Sequence, residues 1–323
     1  MKKRVWMAAL LGLTTALVGC QGTGGAKDAT GQEKLKVGVV QYIDHVSLDA
    51  ARQGFEDTLK KSGLDVEMEF QNANGDSALT NTIPQGYVGE GVDLIYAIAT
   101  PSAQGAKNVT QDVPIVFSCV TDPVGAELVT GETPEGNVTG VSDRIDPKVP
   151  LKEFQTLYPN AKTLGVIYNT GEQNSRVQLD ELKAAAKEVG LDIKELGISS
   201  VNDVGTALSS IINQIDGLYA LTDNTVASAA PIVTSMLLEK QIPSVSAEEG
   251  QVKNGWLFSV GIDYYEQGVQ AGNMAVEILK NHPEKLPKVE VGGGAKKLVN
   301  LETAKNLNLE LPKSFMEGAE TVQ

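Results

Sequence analysis

The sequence predicts an α/β protein of two lobes, each built on a parallel sheet, and three observations carry that expectation. First, a phrase occurs twice, as Val92-Asp93-Leu94-Ile95-Tyr96-Ala97-Ile98-Ala99-Thr100-Pro101 and as Ile215-Asp216-Gly217-Leu218-Tyr219-Ala220-Leu221-Thr222-Asp223-Asn224. Each copy is a short apolar run that breaks into small hydroxyl or turn residues and opens into an Ala-rich stretch, Ala103–Val109 or Val226–Leu238. That is the pattern of buried strand, tight turn and helix. Second, the flanks echo each other in the same order. Lys36-Val37-Gly38-Val39-Val40 matches Thr163-Leu164-Gly165-Val166-Ile167, and Val113-Pro114-Ile115-Val116-Phe117-Ser118 matches Ile242-Pro243-Ser244-Val245-Ser246-Ala247. The offsets are nearly constant: Asp93 to Asp216 is 123 positions, Gly38 to Gly165 is 127, Pro114 to Pro243 is 129. Matched strands at matched spacing indicate a duplicated unit. Third, 323 residues exceed one typical domain and suit two.

Composition narrows the function classes. A net charge of −14, with no basic patch carrying interleaved aromatics, excludes a nucleic-acid binder. Two histidines, His45 and His282, stand far apart and without ligand spacing, so no metal site is expected. No Gly-x-Ser-x-Gly elbow, Walker loop or dinucleotide fingerprint occurs, and Gly292-Gly293-Gly294 lacks the Lys-Ser/Thr of a phosphate loop. Neither an enzyme nor a cofactor is expected.

The chain opens with targeting sequence. Lys2-Lys3-Arg4 is a basic n-region, and Val5–Val18 is an apolar stretch short for a membrane span. It ends Leu17-Val18-Gly19-Cys20, which resembles the bacterial lipobox, where cleavage precedes the Cys and its thiol is lipidated. Residues 1–19 are therefore expected to be a signal peptide, and 20–34 a lipidated Cys with a flexible tether. With Cys20 acylated, Cys119 has no disulfide partner.

Lys36–Gln41 is the first strand. Ser47 is expected to cap a helix Leu48–Lys61 that ends at Gly63, followed by a strand Val66–Phe70 and a turn cluster Asn72–Ser77. Thr80–Gly89 is helical only if it tolerates Pro84. After the first core phrase, Ile115–Ser118 and Asn137–Val141 read as strands, and Asp146–Pro150 as entry to the second lobe. There Leu151–Leu157 and Gln178–Glu188 read as helices, the latter stopped by Gly190, with strands Leu164–Tyr168 and Ile193–Leu196 and a helix Val204–Asn213. Beyond the second core phrase and its helix to Lys240 come strands Ser244–Ala247 and Trp256–Gly261, a long helix Asp263–Lys280, a strand Lys288–Val299 and a short helix Asn300–Leu309.

Ligands of parallel α/β sheets collect outside the carboxyl ends of strands. The polar residues expected there are Tyr42, His45, Thr100, Ser102, Thr121 and Asp122 from the first half. From the second they are Asn174, Ser175, Asp223, Asn224, Glu248 and Asp263. Thr100-Pro101-Ser102 prepares a helix N-terminus, with Thr at the cap and Pro at the first helical position. It either serves as a plain cap or welcomes an anion such as a carboxylate. Asp223, at the matching place, either caps its own helix or faces an ammonium. A zwitterion needs both signs at once.

Several segments together resemble the tryptophan/aromatic amino-acid family of ABC-transporter substrate-binding lipoproteins. They are Ala97–Ser102, Phe117–Val124, Gly136–Ser142, Thr222–Thr225 and Gly261–Tyr265, and the likeness extends from Leu35 onward. The resemblance implies the type I periplasmic-binding-protein fold: two Rossmann-like lobes, a multi-stranded hinge and a ligand closed between them. By that analogy the first lobe is 35–145 plus 263–286 and the second is 146–262 plus 287–323. It also implies that Thr100, Ser102 and Thr121 hold the ligand carboxylate. Asp223, or in second place Asp263, holds the ammonium, and Tyr42 and His45 touch ligand. Tyr42, Phe117, Tyr264 and Tyr265 either stack on an aromatic ligand or pack core and hinge. The expected function is that of a monomeric, lipid-anchored receptor delivering tryptophan or phenylalanine to an ABC permease with its ATPase. The alternatives are a sensor coupled to a membrane signalling partner, or a binder of another amino acid such as a branched-chain one.

Overall fold

The computed structural model describes residues 34–292 and 295–323. The signal peptide, Cys20 and most of the tether lie outside the described residues. The first lobe opens with β1 (Leu35–Gln41), α1 (Val46–Lys61), β2 (Val66–Asn72), α2 (Leu79–Glu90), β3 (Leu94–Ile98), α3 (Thr100–Val109), β4 (Ile115–Val120) and β5 (Val138–Ser142). The second contains α4 (Lys148–Leu157), β6 (Thr163–Asn169), α5 (Gln173–Glu188), β7 (Asp192–Ile198), α6 (Val204–Ile211), β8 (Gly217–Ala220), α7 (Asn224–Ser228), α8 (Ala230–Lys240), β9 (Ser244–Glu248), α9 (Glu249–Lys253) and β10 (Phe258–Ile262). The chain then returns to the first lobe as α10 (Tyr264–Asn281) and β11 (Glu290–Val291). It ends in the second with β12 (Lys296–Asn300), α11 (Leu301–Asn306), α12 (Lys313–Met316) and β13 (Ala319–Val322).

The sheets run β11-β5-β4-β3-β1-β2 and β13-β12-β10-β9-β8-β6-β7. All pairings are parallel except β10 with β12. The duplication is visible in this order. β4-β3-β1-β2 and β9-β8-β6-β7 are the same arrangement, and the doubled phrase occupies β3–α3 and β8–α7. The central strands β1, β3, β4, β8 and β9 are buried almost throughout, which is why they read as apolar runs rather than alternating ones.

The lobes are joined where the chain crosses after β5, after β10 and after β11. The last crossing comes later than expected at residue 287. Val289 N–H donates to Glu132 O at 2.8 Å, the Pro287 carbonyl accepts from Thr139 Oγ1 at 2.7 Å, and β11 pairs with β5, so this stretch stays with the first lobe. The expected strand 288–299 is accordingly two strands in two sheets. Helix α10 is held to α1 by small residues. A Cβ on Gly54 would sit 2.1 Å from Tyr265 O, and one on Gly268 1.9 Å from Ala51 O, so only hydrogen permits this backbone approach.

Local expectations needed three further corrections, in α1, α3 and α8, while the condition set on the helix around Pro84 is met. Helix α1 starts at Val46 with His45 at its N-cap, and Ser47 is buried in its first turn. Helix α3 starts at Thr100, with Ala99 as N-cap at φ 79°, ψ 155°. Helix α2 keeps Pro84 inside it. The Thr80 carbonyl that Pro84 cannot bond instead lies against α3, where a Cβ on Gly105 would be 2.1 Å from it. The helix expected from Val226 to Lys240 is broken at Ala229; Pro231, in the first turn of α8, has no N–H to donate to the Ala227 carbonyl and so cannot continue the ladder of α7.

Candidate functional site

The first-lobe strands β1 and β3 end level with each other, and β4 runs two residues further, to Val120. Gln41 pairs with Ile98, and Ile98 with Ser118, so the loops after β1, β3 and β4 leave the sheet side by side. They deliver Tyr42 and His45, Thr100 and Ser102, and Thr121. Thr100 and Ser102 are buried in the first turn of α3, and both hydroxyl oxygens lack a hydrogen-bond partner among the described residues. The first N–H groups of a helix have no intrahelical acceptor, so this corner offers unpaired donors. Ala99 holds a backbone conformation that non-glycine residues rarely adopt, and such strain concentrates at ligand sites.

The second lobe presents acids. Asp223 is fully buried and caps α7. Its Oδ1 accepts from Val226 N at 2.9 Å, and its Oδ2 from Asn169 N at 2.6 Å and Ser175 Oγ at 2.7 Å. Glu172 is equally buried. Its Oε1 accepts from Thr225 N and Oγ1, and its Oε2 from Asn174 Nδ2, Asn224 N and Asn224 Nδ2. Sequence reasoning missed Glu172, because an acid in a polar turn, Asn169-Thr170-Gly171-Glu172, looks solvent-exposed. Asn174 and Ser175, two and three residues on, were expected at the site. Glu248, the last residue of β9, is buried with Gln251 donating to it. The first lobe contributes one buried acid of its own: Asp143, after β5, accepts from Thr121 Oγ1 at 2.8 Å and Tyr264 OH at 2.8 Å.

None of the ion pairs among the described residues involves Asp143, Glu172, Asp223 or Glu248. Burial accordingly raises all four carboxyl pKa values, with hydrogen bonds from neighbouring groups opposing it. Glu172 and Glu248 are pushed up to about 7. The Asp223 charge reinforces the shift at both. Burial drives the His45 imidazole the other way, to about 4, against opposing hydrogen-bond and carboxylate effects.

Hydrogen bonds tie the lobes together. His45 Nε2 lies 3.2 Å from Asn224 Oδ1, and Thr121 Oγ1 lies 3.2 Å from Thr222 Oγ1 and accepts from Gln178 Nε2 at 2.9 Å. Thr121 is thus engaged in lobe-to-lobe bonding rather than left open like Thr100 and Ser102. Beside these contacts lies a cavity of about 600 Å³ lined by both lobes, among others by Tyr42, Pro101, Gln104, Asn169 and Thr225, and by no charged side chain.

The structure leaves the remaining expected residues apart from this group. Asp263 caps α10 through Glu266 N and pairs with Lys296 Nζ at 2.7 Å, which draws it away. Asp122 turns back to Gly125 N and lies 4.0 Å from Arg144, which also pairs with Glu181 of the second lobe. Of the aromatics, Tyr42 lines the cavity. Phe117 is core, Tyr264 is buried against Asp143, and Tyr265 bonds Asp57 on α1.

Residues 36–323 match the sequence pattern of the family described as ABC transporter substrate binding protein. The chain belongs to that family. The family is one of binding proteins rather than catalysts. This substrate-binding protein has the type I periplasmic-binding-protein fold. It is 40% identical over 315 residues to a tyrosine-binding protein of Clostridioides difficile strain R20291, covering 94% of this chain and 91% of that one. It is similar to an ABC domain from Streptococcus pneumonia solved in complex with L-Trp, at 34% identity and TM-score 0.86, over 90% of this chain and all of that one. The ligand-free, open structure of a substrate-binding protein with adhesive properties from Clostridium difficile is 40% identical, over 90% of this chain and 99% of that one, yet its TM-score is 0.67. The structure here is thus more similar overall to the L-Trp complex than to the ligand-free, open structure.

Proposed function

We propose that the chain is the extracytoplasmic receptor of an ABC importer, anchored through lipidated Cys20, that closes on a free aromatic amino acid and presents it to a permease driven by an ATPase. The division of buried polarity between the lobes carries the amino-acid reading. Unpaired hydroxyls stand at a helix N-terminus in the first lobe, and three of the four buried carboxylates without a cation, those of Glu172, Asp223 and Glu248, stand in the second. A zwitterion satisfies both. Thr100 and Ser102 take its carboxylate, and the field of Asp223 and Glu172 favours its ammonium. Tyr42, lining the cavity, supplies an aromatic face for the side chain. The relatives named for tyrosine and solved with L-Trp support tyrosine and tryptophan as ligands, with phenylalanine a third candidate.

Native mass spectrometry of freshly purified protein is expected to show a retained amino acid. Calorimetry on stripped protein is expected to show tyrosine or tryptophan binding far more tightly than leucine. Equal affinity for leucine would refute the aromatic preference, and no binding of any free amino acid would refute the reading as a whole.

A further inference from the structure

Both second-lobe acids next to Asn174 are already well occupied. Glu172 receives five hydrogen bonds, and Asp223 receives three. Two buried acceptors on side chains linked to Glu172 by hydrogen bonds, Asn174 directly and His45 through Asn224, are nevertheless bare: Asn174 Oδ1 and His45 Nδ1. Their orientation is fixed. Asn174 Nδ2 donates to Glu172 Oε2 and to the Thr222 carbonyl, which leaves its oxygen pointing elsewhere. Asn224 Nδ2 also donates to Glu172 Oε2, so Asn224 Oδ1 is an acceptor and the His45 nitrogen facing it, Nε2, carries the proton. A neutral imidazole protonated at Nε2 has a lone pair at Nδ1. Each bare acceptor thus traces back to one carboxylate oxygen.

We infer that the ligand's ammonium group is received by Asn174 Oδ1 and His45 Nδ1, with Glu172 as the positioning residue that aims both; this rests on the amino-acid reading above. An ammonium brings three N–H donors and a positive charge. The two neutral acceptors take N–H groups directly, one from each lobe. Glu172 answers the charge at one remove, through amides whose dipoles it aligns. Because His45 comes from the first lobe and Asn174 from the second, the ammonium also bridges the closed cleft.

The test combines calorimetry with nitrogen-15 NMR of histidine, using L-tryptophan and its des-amino analogue indole-3-propionate as probes. Asn174→Leu and His45→Leu each remove one acceptor of similar bulk. Each is expected to weaken L-tryptophan roughly 10- to 100-fold and to leave the analogue nearly unaffected. Equal losses for both probes would overturn the inference.

Glu172→Gln keeps the shape but sets a donor against donors. Its readout is the pH profile. Glu172 is faced by the Asp223 carboxyl and the Tyr42 phenol, and by His45 through Asn224. Wild-type affinity for L-tryptophan is expected to rise from pH 5.5 to 8 as Glu172 ionises, and the variant's profile is expected to be much flatter. A variant that keeps the wild-type profile would rule out the positioning role. The chain has only two histidines, so the spectra are simple. L-tryptophan is expected to move the unprotonated His45 Nδ1 signal into the hydrogen-bonded range, and an unmoved signal at saturation would also overturn the inference. If wild type binds no amino acid, the functional reading fails and the inference with it.

Discussion

Gly250 of the second lobe lies against Ser47 of the first so closely that a Cβ on it would stand 2.4 Å from Ser47 Oγ and 3.1 Å from Ser47 N. Neither residue belongs to the ammonium or carboxylate contacts proposed above. Gly250→Ala is expected to wedge the lobes apart, costing closure about 1–3 kcal/mol, or about 5- to 150-fold in affinity. Small-angle scattering is expected to show wild type contracting on ligand and the variant contracting less. A variant that contracts and binds like wild type would place the lobe contact elsewhere.

Asp223→Asn puts an amide where the carboxylate accepts from Asn169 N, Ser175 Oγ and Val226 N. The ligand-free protein is expected to lose about 1–3 kcal/mol of stability, measured by denaturant titration. The affinity loss is expected to be smaller than that of Asn174→Leu. A variant as stable as wild type that no longer binds would make Asp223 itself the ammonium contact.

Acidification from pH 8 to about 5.5 is expected to raise the melting temperature of the ligand-free protein. Glu172 and Glu248 have raised pKa values, about 7 against 4.5, so the stability they contribute is full below 4.5 and is lost as pH rises through 7. His45, lowered from 6.5 to about 4, has the opposite sign. Its contribution is present above 6.5 and is lost as pH falls through 4. Two carboxyls outweigh one imidazole over this window. A ligand whose ammonium group stands near these acids is expected to oppose the trend, so that the ligand-induced rise in melting temperature is larger at pH 8 than at 5.5. Calorimetric scans with and without L-tryptophan check both statements.

Cys20→Ala is expected to release the protein from membranes or to block its maturation, since a lipid anchor depends on that thiol. Fractionation of the variant with membranes, as for the parent, would refute the lipoprotein reading.

Much of the fold was legible because the central strands are buried on both faces and the duplication repeats them in order. Val92–Pro101 and Ile215–Asn224 gave the strand-to-helix turns on which both walls of the site stand. What escaped was tertiary. The pairing of Glu290–Val291 with β5 has no local pattern, and Pro84 hides a helix whose freed carbonyl is covered by Gly105. Within the candidate site, the small hydroxyls Thr100 and Ser102 were readable from their place at a helix start. Glu172 was not, since its burial depends on donors some fifty residues away at Asn224 and Thr225. The ion pair of Asp263 was hidden for a related reason: its partner, Lys296, is distant in sequence.

The return of α10 to the first lobe bears on the order in which the chain can fold. The face of α1 that carries Ala51 and Gly54 is shaped to receive Tyr265 and Gly268. Until residues beyond 264 arrive, that face stays wet, and the first lobe lacks its closing helix however completely residues 35–142 have been made. For a chain threaded across a membrane N-terminus first, the leading half therefore cannot lock while the rest is still in transit. Such interleaving delays commitment to the native state and keeps the leading segment in a form that can still be translocated.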